Sequence, residues 1–176
     1  MSPQPVIRIA DLWKSFGEND VLRGVSLDVT EGETLVVLGP SGCGKSVLLK
    51  HIIGLMAPDR GSIIVDGHDV TMISPRMLNE LRQRFGMVFQ GAALFDSMSI
   101  GENVGLPLVE HRGMKGAELD RQVADKLEAV GLSGIEELRP SEISGGMKKR
   151  VALARAIALD PDVILYDEPT TGLDPV

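Results

Sequence analysis

From residue 6 to residue 30 apolar and polar positions alternate loosely, the period of half-buried strands. The run "TLVVLG" (34–39) does not alternate. It is continuously apolar and ends in glycine, which predicts a strand buried on both faces of a parallel sheet. A glycine-rich turn follows, and "KSVLLKHIIGL" reads as a helix. "GSIIVDGHDV" (61–70) predicts a hairpin turning at Asp66-Gly67. "FGMVFQ" (85–90) is a short apolar strand ending in a polar residue. Beyond it the period lengthens: Leu119, Val123, Leu127 and Val130 share one face of a helix over 117–130, with Gly131 as its C-terminal cap. "MKKRVALARAIAL" (147–159) is a second helix, ended by Asp160-Pro161, and "DVILYDE" (162–168) is a last apolar strand. Strand, helix and strand recur, so the fold class is α/β with parallel strands, a small antiparallel β part near the start and a helical insert. The expected organisation is one domain over 1–176, with its core in 1–90 and 144–176 and its insert in 91–143.

Composition narrows this without redirecting it. The 176 residues are 43% apolar and 24% charged, ordinary for a globular chain. A net charge of -7 argues against a general nucleic-acid binder. Cys43 is the only cysteine, which excludes an intramolecular disulfide and suits a reducing, cytosolic setting. No run approaches the roughly 18 apolar residues of a membrane span, so a membrane role requires partner subunits.

The chemistry starts at "GPSGCGKS", Gly39, Pro40, Ser41, Gly42, Cys43, Gly44, Lys45 and Ser46, a complete G-x-x-x-x-G-K-[ST] between an apolar run and a helix. Glycines let a backbone wrap phosphate with its N–H groups turned inward, and the helix start adds partial positive charge. Lys45 is expected at the β- and γ-phosphates and Ser46 on Mg²⁺. Asp167 and Glu168 end a second apolar strand, where one acid can hold Mg²⁺ and its neighbour can deprotonate water. Cradle and acid pair together imply nucleotide binding and phosphoanhydride hydrolysis. Cys43 either fills space in the loop or is a reactive thiol. If reactive, its alkylation should block nucleotide binding and ATP should protect; alkylation with undiminished binding would end that reading.

"ISGGMKKRVALARAIALDPDVILYDEPTTGLD" then resembles the ATP-binding cassette (ABC) ATPases, motif by motif and in family order. The resemblance implies a P-loop NTPase core of the ABC type, with ATP and Mg²⁺ as cofactors. It makes Phe16 of "LWKSFG" the ring that stacks on adenine, with Trp13 as rival. It makes Gln90 a Mg²⁺-contacting glutamine that senses the membrane partner. Ser144, Gly145 and Gly146 become a signature that clasps the γ-phosphate of ATP held by a second copy, and Asp174 a residue of the dimer contact. Asp167 becomes the Mg²⁺-associated acid and Glu168 the catalytic base. Val47, beside Ser46 in the nucleotide site, stands where the family usually has threonine, and Met147 where it usually has glutamine. Neither departure removes a phosphate ligand.

The family's switch histidine lies beyond the segment quoted. His51, His68 and His111 precede the signature and read as surface or internally satisfied residues. The resemblance therefore implies an incomplete nucleotide-binding domain that alone is marginally stable and a weak ATPase. "SGGMKKRVALARA", "FQGAALFDSMSIGENVGLPL" and "TTGLDP" further resemble the ATPase subunit of Mla-type, MCE-linked phospholipid or organic-solvent-tolerance transporters. That subgroup implies a homodimer with transmembrane permease subunits and an MCE-type substrate-binding protein. It also implies a peripheral position on the cytoplasmic face of the inner membrane, and no nucleic acid. Residues 91–107 would receive a permease helix, with Leu94, Phe95 and Met98 as its apolar floor. The alternatives are another ABC importer class, or a non-transport soluble ABC protein.

Overall fold

The computed structural model describes residues 5–89 and 91–167, and the chain divides into two compact units, Met1–Arg82 and Gln83–Val176. In the first unit the alternating segment forms β1 (Ile7–Phe16) and β2 (Asn19–Val29). After α1 (Lys45–Ile52) come β3 (Arg60–Val65), β4 (His68–Asp69) and α2 (Pro75–Arg82). The strands make an antiparallel sheet in the order β2-β1-β3-β4. Ile7, Ile9 and Leu12 are buried while Arg8, Ala10 and Asp11 are exposed. The extra outward residue is a bulge at Asp11, whose left-handed φ of 48° restores the inward phase at Leu12. The hairpin turns where the sequence places it, through Asp66 (φ 49°) and Gly67 (φ 79°), the two left-handed residues that a tight β-turn of this hand needs.

The second unit holds β5 (Phe85–Val88), α3 (Ile100–Arg112), α4 (Gly116–Ala129), α5 (Gly145–Ala156) and β6 (Val163–Tyr166). β5 and β6 pair in parallel, from Phe85 opposite Val163 to Val88 opposite Tyr166. α5 packs on α3, α4 and β5. Its Val151 and Ala154 join Ile100, Val104, Val123, Leu127, Leu132 and Ile143 in one buried cluster. Leu119 and Val130 pack against this cluster, so the four positions read on one face of α4 all point inward. Gly86 is required at the strand–helix contact, since a Cβ there would lie 2.5 Å from the Ala156 carbonyl oxygen.

Two helices go beyond the sequence reading. α2 has few apolar residues to mark it. α3 carries Pro107 in its interior, which normally argues against a helix. It is set by a capping box at its start. The Ser99 hydroxyl accepts from the Glu102 N–H (3.1 Å), and the Ser99 N–H donates to the Glu102 carboxylate (2.7 Å).

One expectation is corrected. Residues 34–39 are neither a strand nor buried: among the described residues no strand pairs with them, and Val36 and Leu38 are 68% and 87% exposed. An apolar run states what a segment is suited to. Without a ladder partner on either edge it does not become a strand.

Candidate functional site

The expected site residues fall in both units. In the first, the loop from Gly39 closes on itself before α1: the Cys43 N–H donates to the Pro40 carbonyl (3.3 Å), and Lys45 Nζ donates to the Gly39 and Pro40 carbonyls (both 3.0 Å). Gly44 takes the left-handed φ of 102° that turns the chain into the helix, and a Cβ there would meet Val21 at 2.8 Å. No side chain caps the start of α1. Helix-start N–H groups in such a position are suited to an anion, and a Cβ at Gly42 would meet nothing. Pro40, Ser41 and Cys43 are exposed, with Cys43 a free thiol against Gly39; Ser46 and Val47 lie in the first turn of α1. A phosphate chain fits this donor set.

At the end of β1 the two candidate stacking rings differ. Phe16 is 47% exposed, with Lys14 Nζ 5.6 Å from its ring centroid. The Trp13 indole N–H is committed to the Asp11 carboxylate at 2.8 Å, and its ring lies against Gly24. Of the histidines, His51 is fully buried: Nδ1 lies 2.7 Å from the Val47 carbonyl oxygen, while Nε2 has no partner among the described residues. His68 and His111 are exposed, as expected.

In the second unit Ser144 caps α5, its hydroxyl accepting from the Met147 N–H at 3.2 Å. Gly145 and Gly146 follow with negative φ, and a Cβ at either would meet nothing within 4 Å. Internal packing does not require glycine at either position, and both are exposed. Asp167 is buried just past β6, where its N–H donates to the Val88 carbonyl at 2.9 Å. Gln90, Glu168 and Asp174 lie outside the described residues.

Sequence reasoning passed over three polar side chains around residues 92–99. The buried Asn103 accepts from the Phe95 N–H (2.8 Å) and donates to the carbonyls of Phe95 (3.1 Å) and Ser99 (2.9 Å). Arg139 donates to the Ser97 carbonyl at 2.8 Å, and Arg155 to those of Ala93 and Ala92. The available signals were the Ser99-x-x-Glu102 box, which would have put Asn103 on an inward helix face, and a lone arginine within the apolar "VALARAIAL". Of the proposed apolar floor, Leu94 packs inward on the helical cluster, Met98 is half-buried and Phe95 is 49% exposed.

An antiparallel β part, a glycine loop opening a helix, parallel strands ending at an acid and a serine-capped helix define the P-loop ATPase cassette class. The chain belongs to the ABC transporter family, whose profile matches residues 22–171. It is similar to the ATP-binding cassette MJ0796, solved as a dimer in a post-hydrolysis state bound to ADP and Pi. The TM-score is 0.86 at 35% identity, covering 96% of this chain and 76% of that one. It is 52% identical over 170 residues to the probable ribonucleotide transport ATP-binding protein mkl of Mycobacterium leprae, covering 97% of this chain and 49% of that protein. It is 46% identical over 173 residues to the intermembrane phospholipid transport system ATP-binding protein MlaF of Haemophilus influenzae, covering 98% and 66%. The chain thus spans between 49% and 66% of the length of these two relatives.

Proposed function

We propose that this chain binds ATP with Mg²⁺ and hydrolyses it to energise a transporter that moves phospholipids or related hydrophobic molecules across a cell envelope. The observation that carries the nucleotide part is the pair of glycine-flanked helix starts. One follows the left-handed Gly44 and has no side-chain cap; the other follows Ser144 with two glycines open to solvent. Each offers backbone N–H groups and a positive dipole end to phosphate. Lys45 and the loop N–H groups hold the β- and γ-phosphates, Ser46, Gln90 and Asp167 hold Mg²⁺, and Phe16, the more open ring, stacks on adenine. Bound Mg²⁺ supplies neutralisation of the phosphate charge. Glu168 takes the proton of the attacking water. Ser144, Gly145 and Gly146 clasp the γ-phosphate held by a second copy, and Asp174 lies at the contact between copies.

The partners in this reading are a second ATPase subunit, permease subunits and an MCE-type binding protein, with the chain on the cytoplasmic face of the inner membrane. Among the described residues no helix is long and apolar enough to cross a membrane. The similarity to MlaF supports phospholipid as cargo; the name of the mycobacterial relatives favours ribonucleotide as the competing cargo.

The test is reconstitution of the natural full-length protein with its membrane subunits between donor and acceptor vesicles. ATP-dependent transfer of labelled phospholipid is expected, without transfer of labelled ribonucleotide; the reverse pattern overturns the lipid assignment. In the same assay Phe95→Asp, which replaces an apolar docking ring by a carboxylate, should cut transfer by at least about tenfold, the order expected from carrying a charged group into an apolar contact. ATP affinity of the isolated protein should stay near wild type. Lost ATP binding would count against a docking role for Phe95.

A further inference from the structure

The segment between β5 and α3 contains two consecutive left-handed alanines, Ala92 (φ 61°) and Ala93 (φ 49°). A residue with a Cβ is strained there, and such strain persists only where surrounding groups over-determine it. The Ala92 N–H donates to the Phe89 carbonyl (3.0 Å) and the Ala93 N–H to that of Gly91 (2.7 Å), which folds the chain tightly. Their own carbonyls turn to one side chain: Arg155 donates through Nη1 to Ala93 (2.8 Å) and through Nη2 to Ala92 (3.1 Å). Its guanidinium carbon also stands 6.0 Å from the centroid of the Phe95 ring. Arg155 sits in the last turn of α5, the helix whose first turn is capped by Ser144. Burial pushes this guanidinium below its ordinary pKa, so its placement carries a desolvation penalty that the two carbonyl contacts offset.

We propose that Arg155 is a positioning residue that locks the strained 91–95 turn, and with it the exposed Phe95 ring, to α5, so that the docking surface and the Ser144 end of the helix move as one body. The planar guanidinium fork is what spans two successive carbonyls while its charge stands over an aromatic ring. A lysine ammonium is a point donor and does not replace it. A helix is a stiff rod, so a displacement imposed at residues 92–95 reaches the other end of α5. The proposal rests on the transport-ATPase reading above, in which Phe95 meets the membrane subunit and Ser144 meets phosphate.

The test uses Arg155→Lys in the natural full-length protein, alone and assembled with its membrane subunits in phospholipid vesicles. ATP affinity and hydrolysis by the isolated protein should stay close to wild type. Stimulation of hydrolysis by the membrane subunits should fall at least about fivefold, the low end of a coupling between sites. Amide exchange should rise both at residues 92–98 and at Met147 and Lys148 in the first turn of α5. Retained stimulation, or faster exchange confined to 92–95, would make Arg155 a local packing residue and overturn the proposal. Loss of ATP binding together with stimulation would also overturn it, as a general effect on the fold. If Arg155→Lys does not fold, Arg155→Gln, planar with one amide donor, is read the same way. A wild type without hydrolysis refutes the ATPase reading instead, and the exchange pattern still decides whether Arg155 links turn to helix.

Discussion

Replacing Lys45 by alanine is expected to weaken ATP binding about 30- to 150-fold, with little change in thermal stability. Lys45 Nζ donates to the carbonyls of Gly39 and Pro40, which holds the ammonium over the loop that the phosphates would enter. A hydrogen bond to a charged group contributes about 1.5–3 kcal/mol, and roughly 1.4 kcal/mol is a factor of ten in affinity. The upper half of that range applies because ATP is multiply anionic and the chain as a whole is negative, with a net charge of -7. Attraction must therefore be supplied locally, by this ammonium and by the start of α1. Stability should hardly move, because the two carbonyls that lose the ammonium belong to exposed residues and water can satisfy them. Calorimetric titration of the natural protein with ATP, paired with a melting curve, checks both halves. An affinity within about threefold of wild type would remove the cradle's role, since an ordinary surface substitution changes free energy by only about 0.5 kcal/mol.

Residue patterns exposed this fold where local chemistry decides it. Asp66-Gly67 specifies its turn because both positions need left-handed backbone and these residues tolerate it. Leu119, Val123, Leu127 and Val130 specify the inner face of α4 because helical spacing alone places them together. The glycine turn before α1 was legible for the same reason, with Gly44 left-handed where the chain enters the helix. Residues 34–39 show the limit. Their pattern is suited to burial, but pairing is decided by other segments, and the expected strand is absent among the described residues. Pro107 hid α3, whose buried Ile100, Val104 and Leu108 hold the helix in the core despite an unfavourable interior position. The meeting of Asn103, Arg139 and Arg155 around residues 92–99 was not legible, although the capping box and the lone arginine each marked one member. The three lie 8, 42 and 62 residues in sequence from the groups they hold, and no period or motif reports such a meeting.

The signature helix separates function from stability most sharply. Gly145→Asp is expected to abolish turnover, by about 100-fold or more, while leaving ATP binding by the isolated protein intact and the fold as stable as before or slightly more so. The backbone N–H remains, but a carboxylate beside it repels phosphate and blocks its approach, and losing access to one preorganised donor at developing phosphate charge costs on the order of 100-fold. The stability side follows from the first turn of α5. Gly145 has negative φ and a Cβ there meets nothing within 4 Å, so the aspartate neither strains the backbone nor collides. An acid in the first helical turn favours the dipole by about 0.3–1 kcal/mol, and replacing glycine reduces the entropy of the unfolded chain by a comparable amount. A glycine kept for packing would behave in the opposite way, as a Cβ at Gly86, 2.5 Å from a backbone oxygen, makes plain. Steady-state hydrolysis, ATP titration and a melting curve on the same preparation are the check. Hydrolysis near the wild-type rate would mean that this helix start does not meet phosphate. Lost turnover together with a falling melting temperature would mean that Gly145 serves the fold.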